Sequence, residues 1–541
     1  MRSIIAALFL AAAIAVPAVA PGTASAAEPD FPASMSAYHN WPELVAEIKQ
    51  AQQDHPDIVS IFSIGKSYQG RDIWVAKISD NVATDEAEPE VLIDALHHAR
   101  EHLGTEQALA VLRWLTDDYG TDATVTRLVD TREIFIIFAV NPDGLRYDLT
   151  GSPFRLWRKN RQPNAGSTGV GTDLNRNYGY HWGCCGGSSG NPKSIMFRGA
   201  SAFSAPETRA VRDFVSSRVI GGIQQIRTHI TLHTNGQLIL WPYGYTKTDV
   251  PADMTTLDRS ALASLGRAMA ARNGYKAEQS SDLYVTDGDQ IDWMYGKYRI
   301  FSYTFELYPP ETGATLTDHY PPASVIAPQT QRNRGAILLL IDRAACPYAT
   351  LGAASTQANC GPLYDDLEIN RGWKRNPFGT DTATRGLWAV GNPQSTYSHG
   401  PKQLGTTVSG RNALVTGTAA GSSASYGDVD GGRTTMRSRA ITLPADPAAF
   451  GRLTFRYYLA HGSNATSTDY FRMIVEAEDG KQTVVLEERG APNDDDAAWA
   501  SASVSMAAWA GQTIHLIVAA NDGGKASLIE AAVDDIRIRL P

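Results

Sequence analysis

The strongest constraint on this chain is a change of hydrophobic period part-way along it. Between residues 31 and 345, short apolar β-rich runs alternate with helical patterns. "VLIDAL" (91–96), "EIFIIFAV" (133–140), "ITLHTNGQLILW" (230–241) and "RIFSYTFEL" (299–307) read as buried strands. "WPELVAEIKQAQQDH" (41–55), "TEQALAVLRWLTDDY" (105–119), "APETRAVRDFVSSR" (205–218) and "LDRSALASLGRAMAARNG" (257–274) read as helices, several with Pro or Thr near the first turn. Such alternation predicts an α/β domain over 31–345, with a mixed central sheet flanked by helices. From residue 362 the helical pattern stops, and "RLTFRYYLAH", "DYFRMIVEAE", "QTVVLEER", "QTIHLIVAAN" and "AAVDDIRIRL" alternate apolar with polar residues between Gly/Asn/Asp turns. That pattern predicts an all-β, jelly-roll-like sandwich over 362–541, reached through a linker at 346–361. A chain of 541 residues is in any case too long for one core.

The first residues read as an export signal. Met1-Arg2 is a short positive start, Ile4 to Val16 is apolar, and Ala24-Ser25-Ala26 is a small-x-small cleavage site. Pro17 and Pro21 interrupt the run before it is long enough to span a bilayer. A signal peptide over 1–26 and a secreted protein are therefore expected, with no membrane partner. The net charge of -9 and the lack of any basic run or P-loop argue against nucleic acid. Four cysteines suit an oxidising compartment and permit three pairings. The preferred one joins Cys346 to Cys360 and leaves the adjacent Cys184 and Cys185 as a vicinal bridge or two thiols.

Chemistry concentrates in "LIDALHHAREHLG" (92–104). His98 to His102 spells H-x-x-E-H, in which two histidines one helical turn apart bind zinc and the glutamate between them is the base. That reading needs the helix to begin at or before His98, directly against a strand, whereas the helical pattern starts only at His102 to Thr105. The other reading takes His98 and Glu101 alone as metal ligands, just past the carboxyl end of a buried strand, where active residues of α/β sheets gather.

Six segments in order resemble those of the zinc carboxypeptidases of the A/B/T type, over about residues 35 to 340. "HHARE" resembles the H-x-x-E metal motif (His98, Glu101), and "ITLHTNGQLILWPYG" the strand with the third ligand, His233. "FRLWRKNR" resembles the segment of the catalytic arginine, Arg158, and "GTDLNRNY" the carboxylate-binding segment with Asn175 and Arg176. "LYVTDGDQIDWMY" resembles the segment of a mobile tyrosine, Tyr284, and "FSYTFEL" the strand of the catalytic glutamate, Glu306. The resemblance also implies that Asp173 holds His98, that Arg100 touches substrate, and that Ile291 floors the pocket for the terminal side chain.

Each role has a chemical reason. Two histidines and a carboxylate leave one zinc position open for water, as catalytic sites require. Glu306 would take that water's proton and pass it to the leaving amine. Arg158 would offset the developing oxyanion. An endopeptidase has no use for a fixed guanidinium at the end of its cleft, whereas an enzyme that removes C-terminal residues must bind a carboxylate, which Arg does bidentately. Ile291 favours apolar or aromatic ends, while Asp287 and Asp289 close by could reach a basic one. His97 is expected to pack near the site and His102 to be a bystander.

The expected function is a secreted, monomeric zinc metallocarboxypeptidase acting on peptide or protein C-termini. The competing readings are a cell-wall peptide carboxypeptidase or amidohydrolase on the same fold, or an inactive polymer-binding protein. Many relatives carry a folded pro-segment; here the opening helix follows the signal too closely for one, so synthesis without such latency is expected. In the sandwich, acidic turns at 427–432, 493–496 and Asp534-Asp535 could bind structural calcium. Tyr457, Tyr458 and Trp499 could serve a carbohydrate or protein surface.

Overall fold

A computed structural model describes residues 28–310, 318–419 and 423–541. The expected signal peptide lies outside the described residues. The first half is built on an eight-stranded sheet, with β1 (Val59–Lys66), β2 (Asp72–Ile78), β3 (Glu90–Ala95), β4 (Glu133–Ile137), β5 (Ile226–Gly236), β6 (Leu238–Trp241), β7 (Lys276–Gln279) and β8 (Phe301–Pro310). Its order is β1-β2-β4-β3-β5-β8-β6-β7. The central strands β4, β3, β5 and β8 run parallel, and antiparallel pairs appear toward both edges, so the sheet is mixed as expected. The run "ITLHTNGQLILW" is not one strand: the chain turns at Gln237 (φ 56°), and β5 and β6 pair on opposite sides of β8.

Both faces of the sheet are covered, and the strand residues sort by parity. Val91, Ile93 and Ala95 of β3 join the core beneath the helices α1 (Trp41–Asp54), α2 (Leu103–Asp117), α4 (Thr256–Asn273) and α6 (Ile326–Arg343). Leu92 joins the opposite core beneath α3 (Pro206–Ser217) and α5 (Gln290–Tyr298). Each large aliphatic side chain buried this way contributes roughly 1.5–3 kcal/mol. The helix ends obey local signals. Asn40 caps α1 by accepting from the Glu43 amide (3.1 Å) while the Glu43 carboxylate accepts from the Asn40 amide (3.0 Å). Thr255 accepts from Asp258 at the start of α4, and Gly274 ends that helix at φ 71°.

Residues 346–361 are themselves folded, as a short 3-10 turn (Pro347–Leu351) and a helix (Ala353–Asn359) closed by a Cys346–Cys360 disulfide. The Tyr348 hydroxyl donates to Asp258 of α4 (2.6 Å), docking this stretch on the first core. Cys184 and Cys185 form the vicinal bridge. The remaining chain makes two antiparallel sheets. One is ordered 388–391, 413–416, 529–538, 453–461, 500–504; the other is ordered 374–375, 432–437, 513–522, 470–476, 482–489. Phe455, Val533 and Ile536 of the first meet Phe471, Met473 and Leu516 of the second in one apolar layer. Tyr458 is buried, and Trp499 packs edge-on against it, so both are tied to packing. The 493–496 acids surround an ammonium instead: Lys402 Nζ donates to Asp494 (2.9 Å), the Asp495 carbonyl (2.8 Å) and Asp496 (2.8 Å). No helix among the described residues is long and apolar enough to cross a membrane.

Candidate active site

The carboxyl ends of three adjacent parallel strands meet at one spot. His233 of β5 and Glu306 of β8 are direct register partners, and β3 ends at Ala95, beside Leu232. Leu96 then takes a left-handed conformation (φ 60°), which costs of order 1–3 kcal/mol for a non-glycine residue and turns the chain off the sheet. Asn141 restrains that turn: its amide donates to the Leu96 carbonyl (3.1 Å), and its side chain donates to the carbonyls of His97 and Lys159 (both 3.1 Å). The Ala99 amide donates to the Arg158 carbonyl (3.1 Å), which stitches the arginine segment to the same turn.

Helix α2 begins only at Leu103, so His98 and His102 do not share a helical face. His102 sits at the N-cap position and pairs with Asp148 (3.0 Å). His97 is buried against the Tyr178 hydroxyl (2.8 Å). The compact H-x-x-E-H arrangement is absent for a physical reason: the strand-to-turn reversal uses the residues that would have formed its first helical turn.

His98, Glu101 and His233 converge instead. Their facing atoms form a triangle: His98 Nδ1 to Glu101 Oε1 2.8 Å, His233 Nδ1 to Glu101 Oε2 2.9 Å, and Nδ1 to Nδ1 3.1 Å. His98 Nε2 faces Asp173 Oδ1 at 3.1 Å, which sets the tautomer with the proton on Nε2 and leaves Nδ1 as a lone pair. Burial and the nearby Arg158 push His98 below its usual pKa, toward the neutral form a ligand needs. Lone pairs and a carboxylate pointed at one another call for a cation between them. Tetrahedral zinc, with bonds of about 2.0–2.2 Å, separates its ligands by about 3.3 Å, so this donor set fits with an outward shift of a few tenths of an ångström.

The surrounding charges are interlocked. The Arg158 Nε donates to Asp173 Oδ2 (2.9 Å), and its Nη1 lies 3.8 Å from Glu101. Although burial opposes it, Arg158 and His98 hold the Asp173 carboxyl well below the usual carboxylate range. Burial pushes Glu306 up to about 7, with His233 opposing. His98, Glu101, Arg158 and Glu306, together with Arg100, Asn175, Arg176, Tyr284 and His319, line a cleft of about 310 Å³.

Arg176 is buried, and its guanidinium donates to the carbonyls of Gly187 (3.0 Å) and Asn175 (2.6 Å). No carboxylate of a described residue lies within 4 Å of it, although a paired local acid is the ordinary reason to bury an arginine. Asn175 accepts from the Gln290 amide (2.9 Å) and turns its Nδ2 toward His233 (3.4 Å). Tyr284 is 47% exposed, and its ring stands 5.9 Å from the Arg176 guanidinium. Ile291 is buried in the first turn of α5 and is not among the residues lining the cleft. The Asp287 oxygens are occupied by the Cys185 and Gly187 amides and the Ser188 hydroxyl, while Asp289 caps α5. Sequence reasoning missed His319, which lines the cleft and is pushed down to about 4 by burial. It also missed Asn141, whose only local sign was a position before Pro142.

A mixed sheet carrying a convergent His, Glu, His triad beside a buried arginine is the arrangement of a metallohydrolase. The zinc carboxypeptidase family model (Peptidase M14) matches residues 44–336, and the chain belongs to that family. It is 51% identical over 323 residues to a zinc carboxypeptidase of Saccharothrix mutabilis subsp. capreolus, covering 60% of this chain and 73% of the relative. It is 35% identical over 308 residues to rat carboxypeptidase A1, covering 56% and 70%. Among solved structures, carboxypeptidase A from Helicoverpa armigera superposes with a TM-score of 0.50 at 26% identity, covering 59% of this chain and 75% of that one. The chain is thus a zinc carboxypeptidase family hydrolase.

Proposed function

We propose that the protein is secreted and releases single residues from peptide C-termini. The observation that carries this reading is Arg176: a buried guanidinium with no carboxylate within 4 Å among the described residues, facing the cleft beside the His98, Glu101, His233 triad. A peptide's terminal carboxylate would supply the missing partner, with Asn175 as a second donor and Tyr284 closing over it. In this reading His98, Glu101 and His233 hold one zinc ion, which when bound polarises the scissile carbonyl and lowers the pKa of the attacking water. Glu306 accepts that water's proton as the C–O bond forms and then returns it to the departing amine as the C–N bond breaks. Arg158 offsets charge growing on the carbonyl oxygen, and Asp173 positions both Arg158 and His98. Arg100 contacts the residue before the scissile bond.

The preference for aromatic and aliphatic ends rests on Ile291 standing where the resemblance puts the pocket floor, although its side chain does not itself line the cleft. Asp287 and Asp289 both have their oxygens engaged by neighbouring donors, which supports apolar over basic ends. Incubation with peptides ending in Phe, Leu, Lys or Arg, with and without chelator, tests the proposal. Release from Phe and Leu ends, abolished by chelation, is expected; no free amino acid from any of the four would overturn it.

A further inference from the structure

Far from the cleft, at the junction of the two halves, four arginines from separate segments line one cavity of about 110 Å³. Arg227 comes from β5, Arg299 from the end of α5, and Arg371 and Arg439 from the sandwich; Tyr348 and Asn359 of the connecting stretch complete the wall. No residue of this cavity lines the catalytic cleft.

The charges are not matched one to one. Arg299 has Glu368 at 3.7 Å, and Arg371 has Asp366 at 3.4 Å and Asp365 at 3.7 Å. Glu368 and Asp365 are committed elsewhere, whereas Asp366 keeps one buried oxygen without a hydrogen-bond partner. Glu368 accepts from the Arg411 and Asn412 amides (both 2.8 Å), and Asp365 from the Trp373 indole (2.9 Å) and the Leu367 amide (3.0 Å). Among the described residues, no carboxylate lies within 4 Å of Arg227 or Arg439. The Nε groups of Arg299 and Arg371 are buried without a hydrogen-bond partner. Arg227 is itself exposed and lies close to the like charges of Arg371 and Arg439. Guanidinium stays protonated at neutral pH, and arginine N–H groups that lack a protein partner are the recognition chemistry of an oxyanion.

We infer that this cavity binds a small tetrahedral oxyanion, inorganic phosphate or sulfate, held between Arg227 of the first half and Arg439 of the sandwich. Because its two principal donors lie on opposite sides of the junction, the anion ties the halves together. An anion bound only by the folded chain raises its stability by mass action.

The full chain should be unfolded thermally in phosphate or sulfate and in chloride at matched ionic strength. A saturable rise in midpoint with the oxyanions is expected, lost in Arg227→Gln and Arg439→Gln, while Arg439→Gln keeps wild-type peptidase activity. Should either variant misfold, hydrogen exchange on the wild type decides. Phosphate should slow amides in 345–362 and 437–440 but not in the cleft segment 158–176. A rise no larger than in chloride, an undiminished rise in both variants, or protection confined to the cleft segment would overturn the assignment.

Discussion

At the scale of single residues, the site sets three acceptor groups against one another and resolves them with external charge. Glu306 has no role in holding that charge, so Glu306→Gln should keep bound zinc, measured by metal content. It should lower kcat by about 10²–10⁴-fold, the usual contribution of a positioned general base. Full activity would show that the base lies elsewhere. Arg176→Met separates the clamp from general binding: activity on free C-termini should fall at least tenfold more than on amidated ones. Equal losses would mean that the arginine serves packing. The resemblance of separate segments to one family pointed to these groups, and the chemistry of each residue type fits the role the resemblance implies. His319 escaped notice, since a lone histidine past a strand carries no pattern; only the folding of its segment over the cleft gave it a place.

At the scale of elements, the decisive piece is the turn between β3 and α2. It carries two of the three converging side chains, and a left-handed Leu96 holds it in shape. Asn141→Ala removes side-chain bonds to two turn-region carbonyls and the cap of the following short helix. A loss of about 1–3 kcal/mol is expected from urea unfolding, as for other buried donors left without partners. Zinc affinity should weaken in the same variant; unchanged stability would show that the turn holds itself. Helix and strand spans were legible because apolar residues recur with period 3.6 or 2, and caps such as Asn40 and Thr255 are local signals. The split of "ITLHTNGQLILW" was not legible. Which strand enters between β5 and β6 depends on β8, some sixty residues on, and no local periodicity encodes it.

At the scale of the whole molecule, two consequences separate the halves. Removing metal by chelation should abolish peptidase activity and lower the unfolding midpoint of the first half, and added zinc should restore both. Unaffected activity would remove the metal from the reading. In the sandwich, burial and Asp430 push Asp428 up to about 7, and burial pushes the neighbouring Glu530 well above its usual value. Raised carboxyl pKa values mean that the folded state holds protons the unfolded state has released. Their contribution is therefore greatest below the unfolded pKa near 4 and is lost as pH rises through about 7. The sandwich should melt at lower temperature at pH 8 than at pH 5, and Glu530→Gln should flatten that slope. A midpoint that climbs over the same range would contradict the assignment.

By itself, the order of residues determined the change from α/β to all-β and most of the individual helices and strands, and it named the groups proposed for catalysis. Those depend on periodicity, caps and side-chain type, which act over a few neighbouring positions. Only the tertiary structure decided that His102 turns away to Asp148, that no carboxylate of a described residue comes within 4 Å of Arg176, and that Lys402 fills an acidic turn suggestive of calcium. It alone also brought four arginines to one junction. Each of those facts is a distance between groups far apart in the chain. Burial then fixes whether a charge meets a partner or must find one in a ligand.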